Sequence, residues 1–399
     1  MRFTHFSDCH VGGWRDEKLS VLGLKAFNLA IDQSIEKKAD FVLIAGDLFN
    51  SALPPVDKLK EVVIALKRLK LKDIPCYVIP GSHDFSPSGK TMLDVLEHVG
   101  LLMNVCKGSV EESILKLRFT VDSKTGAKIT GMIGKKGMLD RKYYEQLDRD
   151  SLEKESGFKI FLFHTALSEL KPKELEHMES SPVSLLPKGF DYYAGGHVHI
   201  TKNENVGQYK NIAYPGALFP NNFRELETCK HGGFYLYEDG KVTWQPTVVK
   251  DVACMYFDCN HKIPSQVEKE ILQEIKETDV KEKIVTIRIT GELASGKSSD
   301  IPLNEIFGVL YHKGAYFVMK STSLVTTKEF ETVQSAATSI EEAEEKVIHE
   351  NVGQSHIKNE KEFVRNLMKV FSLEKQEGET KYNFEKRLIE ETKRIIDFE

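Results

Sequence analysis

Apolar residues run without alternation through Phe41-Val-Leu-Ile-Ala45 and stop at Gly46-Asp47. A strand buried on both faces reads this way where it reaches the edge of a parallel sheet. Arg2–Phe6, Pro75–Ile79, Lys159–Phe163 and Phe190–Ala194 have the same character, and each closes on a polar loop. Segments of helical spacing separate the early strands. Leu19–Lys37 places Leu22, Ala26, Leu29, Ala30 and Gln33 near one face, and Asp57–Leu71, after a Pro54-Pro55 start, does so with Leu59, Val62, Val63, Leu66 and Leu69. Strand, helix, strand, helix, strand predicts βαβ crossovers and a parallel central sheet. Residues 105–134 are β-rich and less regular. A strand pair at Asn211–Tyr214 and Gly233–Tyr237, with a last strand at Lys241–Gln245, is expected to complete the layer.

The loops that close these strands carry the chemistry. In an extended segment residues i and i+2 point the same way, so Asp8 and His10 can share one ion. Asp47, His83, His164, His197 and His199 also follow strands directly, which collects the set at five strand ends of one sheet. Open α/β sheets bind their ligands at such ends. Taken singly, Gly46-Asp47 reads as an ordinary turn, His164 as a hydrogen-bonded structural histidine, and His197-Val-His199 as a surface accident. Together they predict a metal centre. Carboxylates and imidazoles without a thiolate suit manganese, iron or zinc in a hydrolytic site better than a structural zinc. One carboxylate with partners in two groups suggests two metal ions bridged by Asp47.

Composition narrows the setting. A chain of 399 residues that is 41% apolar can bury about two or three cores. A net charge of −5 and a pI near 6.3 exclude a global basic signature, so any contact with a polyanion is local. The six cysteines show no framework spacing and read as reduced thiols, with Cys254 and Cys259 as packing residues. Met1 opens directly into a strand, and no apolar run approaches the ~20 residues of a membrane span. These features predict a soluble cytoplasmic or nuclear protein with no membrane partner.

Beyond Val252 the pattern becomes strand (Val252–Phe257), helix (Pro264–Glu277), strand (Lys283–Thr290), helix (Leu303–Tyr311), strand (Ala315–Lys320). Gly291 to Ser298 satisfies G-x-x-x-x-G-K-S, but a phosphate loop needs its helix to open at the Gly-Lys, and Ser298-Ser-Asp-Ile-Pro302 intervenes. A nucleotide site is therefore not expected. Glu329, Glu331, Glu341, Glu342, Glu344 and Glu345 mark a solvated helix or linker. Apolar spacing then returns at Phe363, Leu367, Val370 and Phe371, and again at Phe384, Leu388, Ile395 and Ile396. Two amphipathic helices beyond a charged linker either pack back on the protein or dock on a partner, and docking is the favoured reading.

The motifs Asp8-Cys-His10, Gly46-Asp47, Gly81-Ser-His-Asp84, His164 and Gly196-His-Val-His199, in this order, resemble the calcineurin-like metallophosphoesterase superfamily. Within it the chain is most similar to the SbcD-type nucleases of double-strand-break repair. The resemblance implies an α/β fold. It comprises a four-layer αββα metallophosphoesterase nuclease domain (1–248), a small α+β capping domain (249–325), an acidic linker (326–354) and a helical partner-binding segment (355–399). It assigns one metal to Asp8, His10, Asp47 and His199, and a second to Asp47, His164, His197 and position 82. The family carries Asn there and this chain has Ser82, a shorter and weaker ligand. His83 would protonate the departing oxygen, with Asp84 orienting its ring.

The activity implied is manganese-dependent hydrolysis of DNA, as 3′-to-5′ exonuclease and single-strand endonuclease. The implied partners are DNA, an SbcC-type coiled-coil ATPase gripped by the C-terminal helices, and a second copy of the chain, met through helices in the first 120 residues. Lys90, Arg141, Lys142, Asn222 and Arg224, in loops between or after the motifs, are candidates for DNA phosphates. Two other readings remain at this stage: a phosphoesterase acting on a small phosphodiester or a phosphoprotein, and a DNA-binding scaffold whose catalysis Ser82 has weakened.

Overall fold

The computed structural model describes residues 1–86, 91–135, 140–172, 175, 177–327, 360–373, 375–376 and 379–396. Two compact units divide them, Met1–Thr326 and Thr327–Glu399. The first begins with β1 (Arg2–Phe6), α1 (Glu17–Glu36), β2 (Phe41–Ala45), α2 (Val56–Leu71), β3 (Cys76–Ile79), α3 (Met92–His98) and β4 (Met103–Asn104). An exposed hairpin of β5 (Gly108–Glu111) and β6 (Ile114–Leu117) precedes β7 (Thr120–Val121), β8 (Lys128–Gly131), α4 (Arg141–Glu145), α5 (Arg149–Lys154) and β9 (Lys159–His164). Then come β10 (Tyr192–Gly196), β11 (Lys202–Val206), β12 (Tyr209–Tyr214), α6 (Phe223–Cys229), β13 (Gly232–Glu238) and β14 (Lys241–Thr247).

These strands form two six-stranded sheets, ordered β14-β13-β1-β2-β3-β4 and β11-β12-β10-β9-β8-β7. The central strands of each are parallel: β1 to β4 in the first, β12, β10, β9 and β8 in the second. Because side chains alternate across a strand, Phe41, Leu43 and Ala45 meet Ile160, Leu162, Tyr192 and Ala194 of the opposite sheet, while Val42 and Ile44 meet the helices. Phe161, Phe163 and Tyr193 face outward under Tyr144 of α4, Leu152 of α5 and Leu186. Helix, sheet, sheet, helix is the resulting order, the four-layer architecture.

Two expectations change. The expected strands fall on two facing sheets rather than one: β1, β2 and β3 lie in the first, β9 and β10 in the second. The segments expected to pair at 211–214 and 233–237 belong to different sheets, β12 beside β10 and β11, β13 beside β1 and β14. A strand apolar on both faces satisfies either neighbour equally well, so its pattern reveals burial and not its pairing. The chain crosses between the sheets through 215–222 and α6.

β15 (Val252–Asp258), β16 (Ile284–Leu293) and β17 (Phe317–Thr327) make a third sheet, with β15 and β16 parallel. It has its own core with α7 (Pro264–Glu277) and α8 (Leu303–His312). Ile284 and Phe317 join the helical core beneath the first sheet, and Tyr316 Oη donates to the Lys18 carbonyl at 3.0 Å. After β16 the chain makes a single turn of 3-10 helix at Ser298–Asp300 before α8 opens at Leu303, so no α-helix starts at Gly296-Lys297.

The second unit contains α9 (Glu360–Phe371) and α10 (Lys381–Ile396), which pack on each other. Phe363, Leu367, Phe384 and Leu388 are half-buried, Val370 is buried and Phe371 is exposed. Lys90 and residues 328–354 of the expected acidic linker lie outside the described residues. Among the described residues no helix is long and apolar enough to cross a membrane.

Candidate metal centre

The ends of β1, β2, β3, β9 and β10 converge where the two sheets meet. Asp8, His10, Asp47, His197 and His199 all adopt positive φ, between 41° and 94°, a conformation costly for residues with a side chain. Sheet hydrogen bonds before them and loop bonds after them hold it: the Asp8 amide donates to the Gly46 carbonyl at 3.1 Å and the His10 amide to the Asp47 carbonyl at 3.0 Å. Each sharp turn redirects a side chain from along the strand into the crevice. Gly81 permits the closest approach, since a Cβ there would fall onto the Asp47 carboxylate.

Imidazole nitrogens and carboxylate oxygens gather at one point. Asp8 Oδ1 lies 3.4 Å from His199 Nε2, 3.9 Å from His164 Nε2 and 4.0 Å from His10 Nε2. Asp47 Oδ2 lies 3.2 Å from His164 Nε2 and 3.7 Å from His10 Nε2, and the Ser82 hydroxyl donates to it at 3.5 Å. The ligand-capable atoms form three groups: Asp8, His10 and His199; His10, Asp47 and His83; Asp8, Asp47 and His164. Asp47 and Asp8 each serve two groups, so the expected bridging carboxylate has a companion. His197 joins none of the three; its ring stacks edge-on beside His164 at 5.2 Å, and its amide donates to Asp8 at 3.1 Å.

The far nitrogens fix the near ones. His164 Nδ1 meets the Ala45 carbonyl at 2.8 Å, His83 Nδ1 the Asn50 carbonyl at 2.9 Å and His199 Nδ1 the Glu225 carboxylate at 3.0 Å. Each acceptor retains the proton on Nδ1 and turns Nε2 toward the crevice. His164 Nε2 is buried without a hydrogen-bond partner.

Electrostatics follow the same geometry. Burial alone would lower His164, but Asp47, with Asp8 behind it, lifts it to about 9. His199 is held well above its usual range by Asp8 and Glu225 against the same pull of burial. Burial would raise Asp8 and Asp47, yet His199 beside the one and His164 beside the other keep both well below the usual carboxylate range. His10 falls to about 4 through burial and the neighbouring His199, and His197 to about 4 through burial and His164. His164 and His199 thus bind a proton more readily than a free imidazole does where they face Asp47 and Asp8. A divalent cation would take the place of such protons, because imidazole binds a metal only when neutral. The converging carboxylate oxygens and inward-turned imidazole nitrogens fit such an ion.

The other expected residues are placed as follows. Asp84 does not orient His83. Its carboxylate accepts from the amides of Leu48 (3.1 Å), Phe49 (3.0 Å) and Gly81 (3.1 Å), clamping the loop after β2 to that after β3, while the Asn50 carbonyl holds the His83 ring. Burial and then Asp47 raise Asp84 to about 7. Asn222 and Arg224 line a cavity of about 810 Å³ together with His197 and His199. Arg141 pairs with Glu145 at 3.1 Å on α4, and Lys142 lies on the same helix.

A conserved-family profile described as calcineurin-like phosphoesterase matches residues 1–201, a span that takes in every one of the converging ligands. The chain belongs to this family. It has sequence relatives among archaeal proteins named DNA double-strand break repair protein Mre11. It is 29% identical over 238 residues to that of Archaeoglobus fulgidus, covering 56% of this chain and 52% of the relative. With that of Methanococcus maripaludis it shares 29% over 299 residues, covering 71% and 76%. With that of Methanocaldococcus jannaschii it shares 30% over 262 residues, covering 60% and 62%. The match to the first of these spans about half of the relative's length.

Two groups at the centre carry no signal in the sequence, the Glu225 carboxylate and the Asn50 carbonyl. Asn222-x-x-Glu225 looks like a helix-capping pair, and the Asn222 side chain does accept the Glu225 amide at 2.9 Å. That pattern conceals the second task of the carboxylate.

Proposed function

We propose that the chain is a metal-dependent DNA nuclease of a double-strand-break repair complex, acting as a 3′-to-5′ exonuclease and single-strand endonuclease with manganese. The observation that carries this reading is the cluster of Asp8, His10, Asp47, His164 and His199, with Nδ1 of His164 and His199 engaged and Nε2 turned inward. Membership of a phosphoesterase family supports the reaction class, and relatives named for DNA double-strand break repair support DNA as substrate.

Asp8, His10, Asp47 and His199 would hold one divalent ion; Asp47, His164, His197 and Ser82 would hold the other. When bound, such ions offset phosphate charge and lower the pKa of water. His83, its Nδ1 occupied by the Asn50 carbonyl, has Nε2 free to carry a proton to the departing sugar oxygen. Asp84 keeps the loops carrying Asp47 and His83 in mutual register. Asn222 and Arg224, on the wall of the adjoining cavity, suit contact with the DNA backbone.

A second copy of the chain would dock on α2 and α3. Leu71 is 74% exposed and Val99 56% exposed there, and Leu59, Val63 and Val95 line the same apolar depression. The helical second unit would engage an SbcC-type ATPase. Ser82 favours one alternative, a DNA-binding scaffold with weakened catalysis, because its hydroxyl is spent on Asp47. Cleavage of plasmid and oligonucleotide DNA with manganese tests the reading. The wild type is expected to cut, and His83→Ala to cut about 10²–10⁴-fold more slowly, the usual worth of a general acid. Undiminished cutting by His83→Ala would remove that residue's role.

A further inference from the structure

His199 is held from behind by a carboxylate that is itself held on every side. Glu225 Oε1 lies 3.0 Å from His199 Nδ1 and accepts from Asn222 Nδ2 at 2.5 Å, while Oε2 accepts the Asn221 amide at 2.8 Å. The Glu225 side chain is only 17% exposed. The helix that carries it is anchored two residues further on. Glu227 is buried and receives Arg288 from β16 through Nε, at 3.1 and 2.9 Å, and through Nη2 at 2.5 Å. The same guanidinium lies 5.0 Å from the Phe223 ring centroid, so both ends of α6 are fastened to the third sheet.

We propose that Glu225 is a positioning residue of the metal centre: it retains the His199 proton on Nδ1, fixes the ring plane, and so presents Nε2 as a ligand beside Asp8 and His10. The proposal rests on the reading that Asp8, His10, Asp47 and His199 hold an ion. Without an acceptor behind it, the His199 ring can rotate or move its proton to Nε2, and either change withdraws a ligand. Carboxylates behind metal-ligating histidines typically change metal affinity by about 10–100-fold. Glu225 touches no reacting atom, so its effect reaches the ion only through His199.

The test is manganese binding to the full chain, followed by calorimetry and by electron paramagnetic resonance, for the wild type, Glu225→Leu and Glu225→Gln. Glu225→Leu is expected to weaken one of the two sites by about 10–100-fold and to spare the other. Glu225→Gln, whose amide oxygen can still accept from Nδ1, is expected to recover most of that loss. In chelator, Glu225→Gln is expected to melt with the wild type and Glu225→Leu somewhat lower, since the Asn221 amide and the Asn222 side chain lose their acceptor. Wild-type affinity at both sites in Glu225→Leu would overturn the proposal. So would an equal loss at both sites in both variants accompanied by a lowered melting temperature, the signature of a merely structural role. A wild type that binds no manganese would instead overturn the metal reading itself, and the proposal with it.

Discussion

Asp47 shows how much depends on single side chains. One oxygen faces His164, His10 and the Ser82 hydroxyl, and the other accepts the His83 amide at 2.7 Å. In the proposed two-ion site, loss of this carboxylate would remove a ligand from both ions, whereas a change at Ser82 would touch one. Asp47→Ala is therefore expected to leave the purified protein with neither manganese ion, and Ser82→Asn to tighten one site alone, its longer amide reaching where the hydroxyl does not. Metal analysis after gel filtration reads both outcomes; one ion retained at full affinity by Asp47→Ala would show that the carboxylate does not bridge. At this scale His197, expected among the ligands, joins none of the three groups. The convergence of Asp8, His10, Asp47, His83, His164 and His199 was legible, because a polar residue directly after a buried strand is a local signal. Glu225 was not. It lies 26 residues from His199, and nothing in its neighbourhood distinguishes it from a helix cap.

Among the elements, α2 carries more apolar surface than one buried face can use. Val62, Leu66 and Leu69 are buried against the sheet, while Leu59 and Val63 sit half-buried at its flank, next to Val95 and Val99 of α3. The five-residue stripe of the sequence thus divides into a core face and a surface face. Burying a side chain such as Leu71 in a two-fold interface is worth about 1.5–3 kcal/mol per copy, and a carboxylate there, even beside Lys67 and Lys70 of the same depression, would carry a desolvation cost that opposes the contact. Leu71→Glu is accordingly expected to convert a dimer into a monomer by sedimentation, with little change in melting temperature, since Leu71 is 74% exposed in the single chain. A wild-type monomer, or a Leu71→Glu dimer, would place the contact elsewhere. The strands show the complementary limit: β12 and β13 were visible as strands, but their membership of opposite sheets was not.

At the scale of the whole molecule the described residues fall into two units. Met1–Thr326 contains the two facing six-stranded sheets and the candidate metal centre, while α9 and α10 in the second unit keep Phe371, Tyr382 and Ile389 exposed at 63%, 74% and 53%. Deleting 355–399 is expected to abolish co-purification with an SbcC-type ATPase while leaving manganese binding intact; a partner still retained would assign docking to the first unit. The sequence alone determined the buried strands β1, β2, β3, β9 and β10, the longer helices α1, α2, α7 and α8, the residue types at the strand ends and the family they imply. Each of these depends on neighbours within a few positions and on whether a segment is buried. Tertiary structure decided which sheet each strand joined, that Asn50 rather than Asp84 holds His83, and that Glu225 stands behind His199. Those are contacts between segments far apart in the chain, and a hydrophobic pattern records that a residue is buried without recording against what.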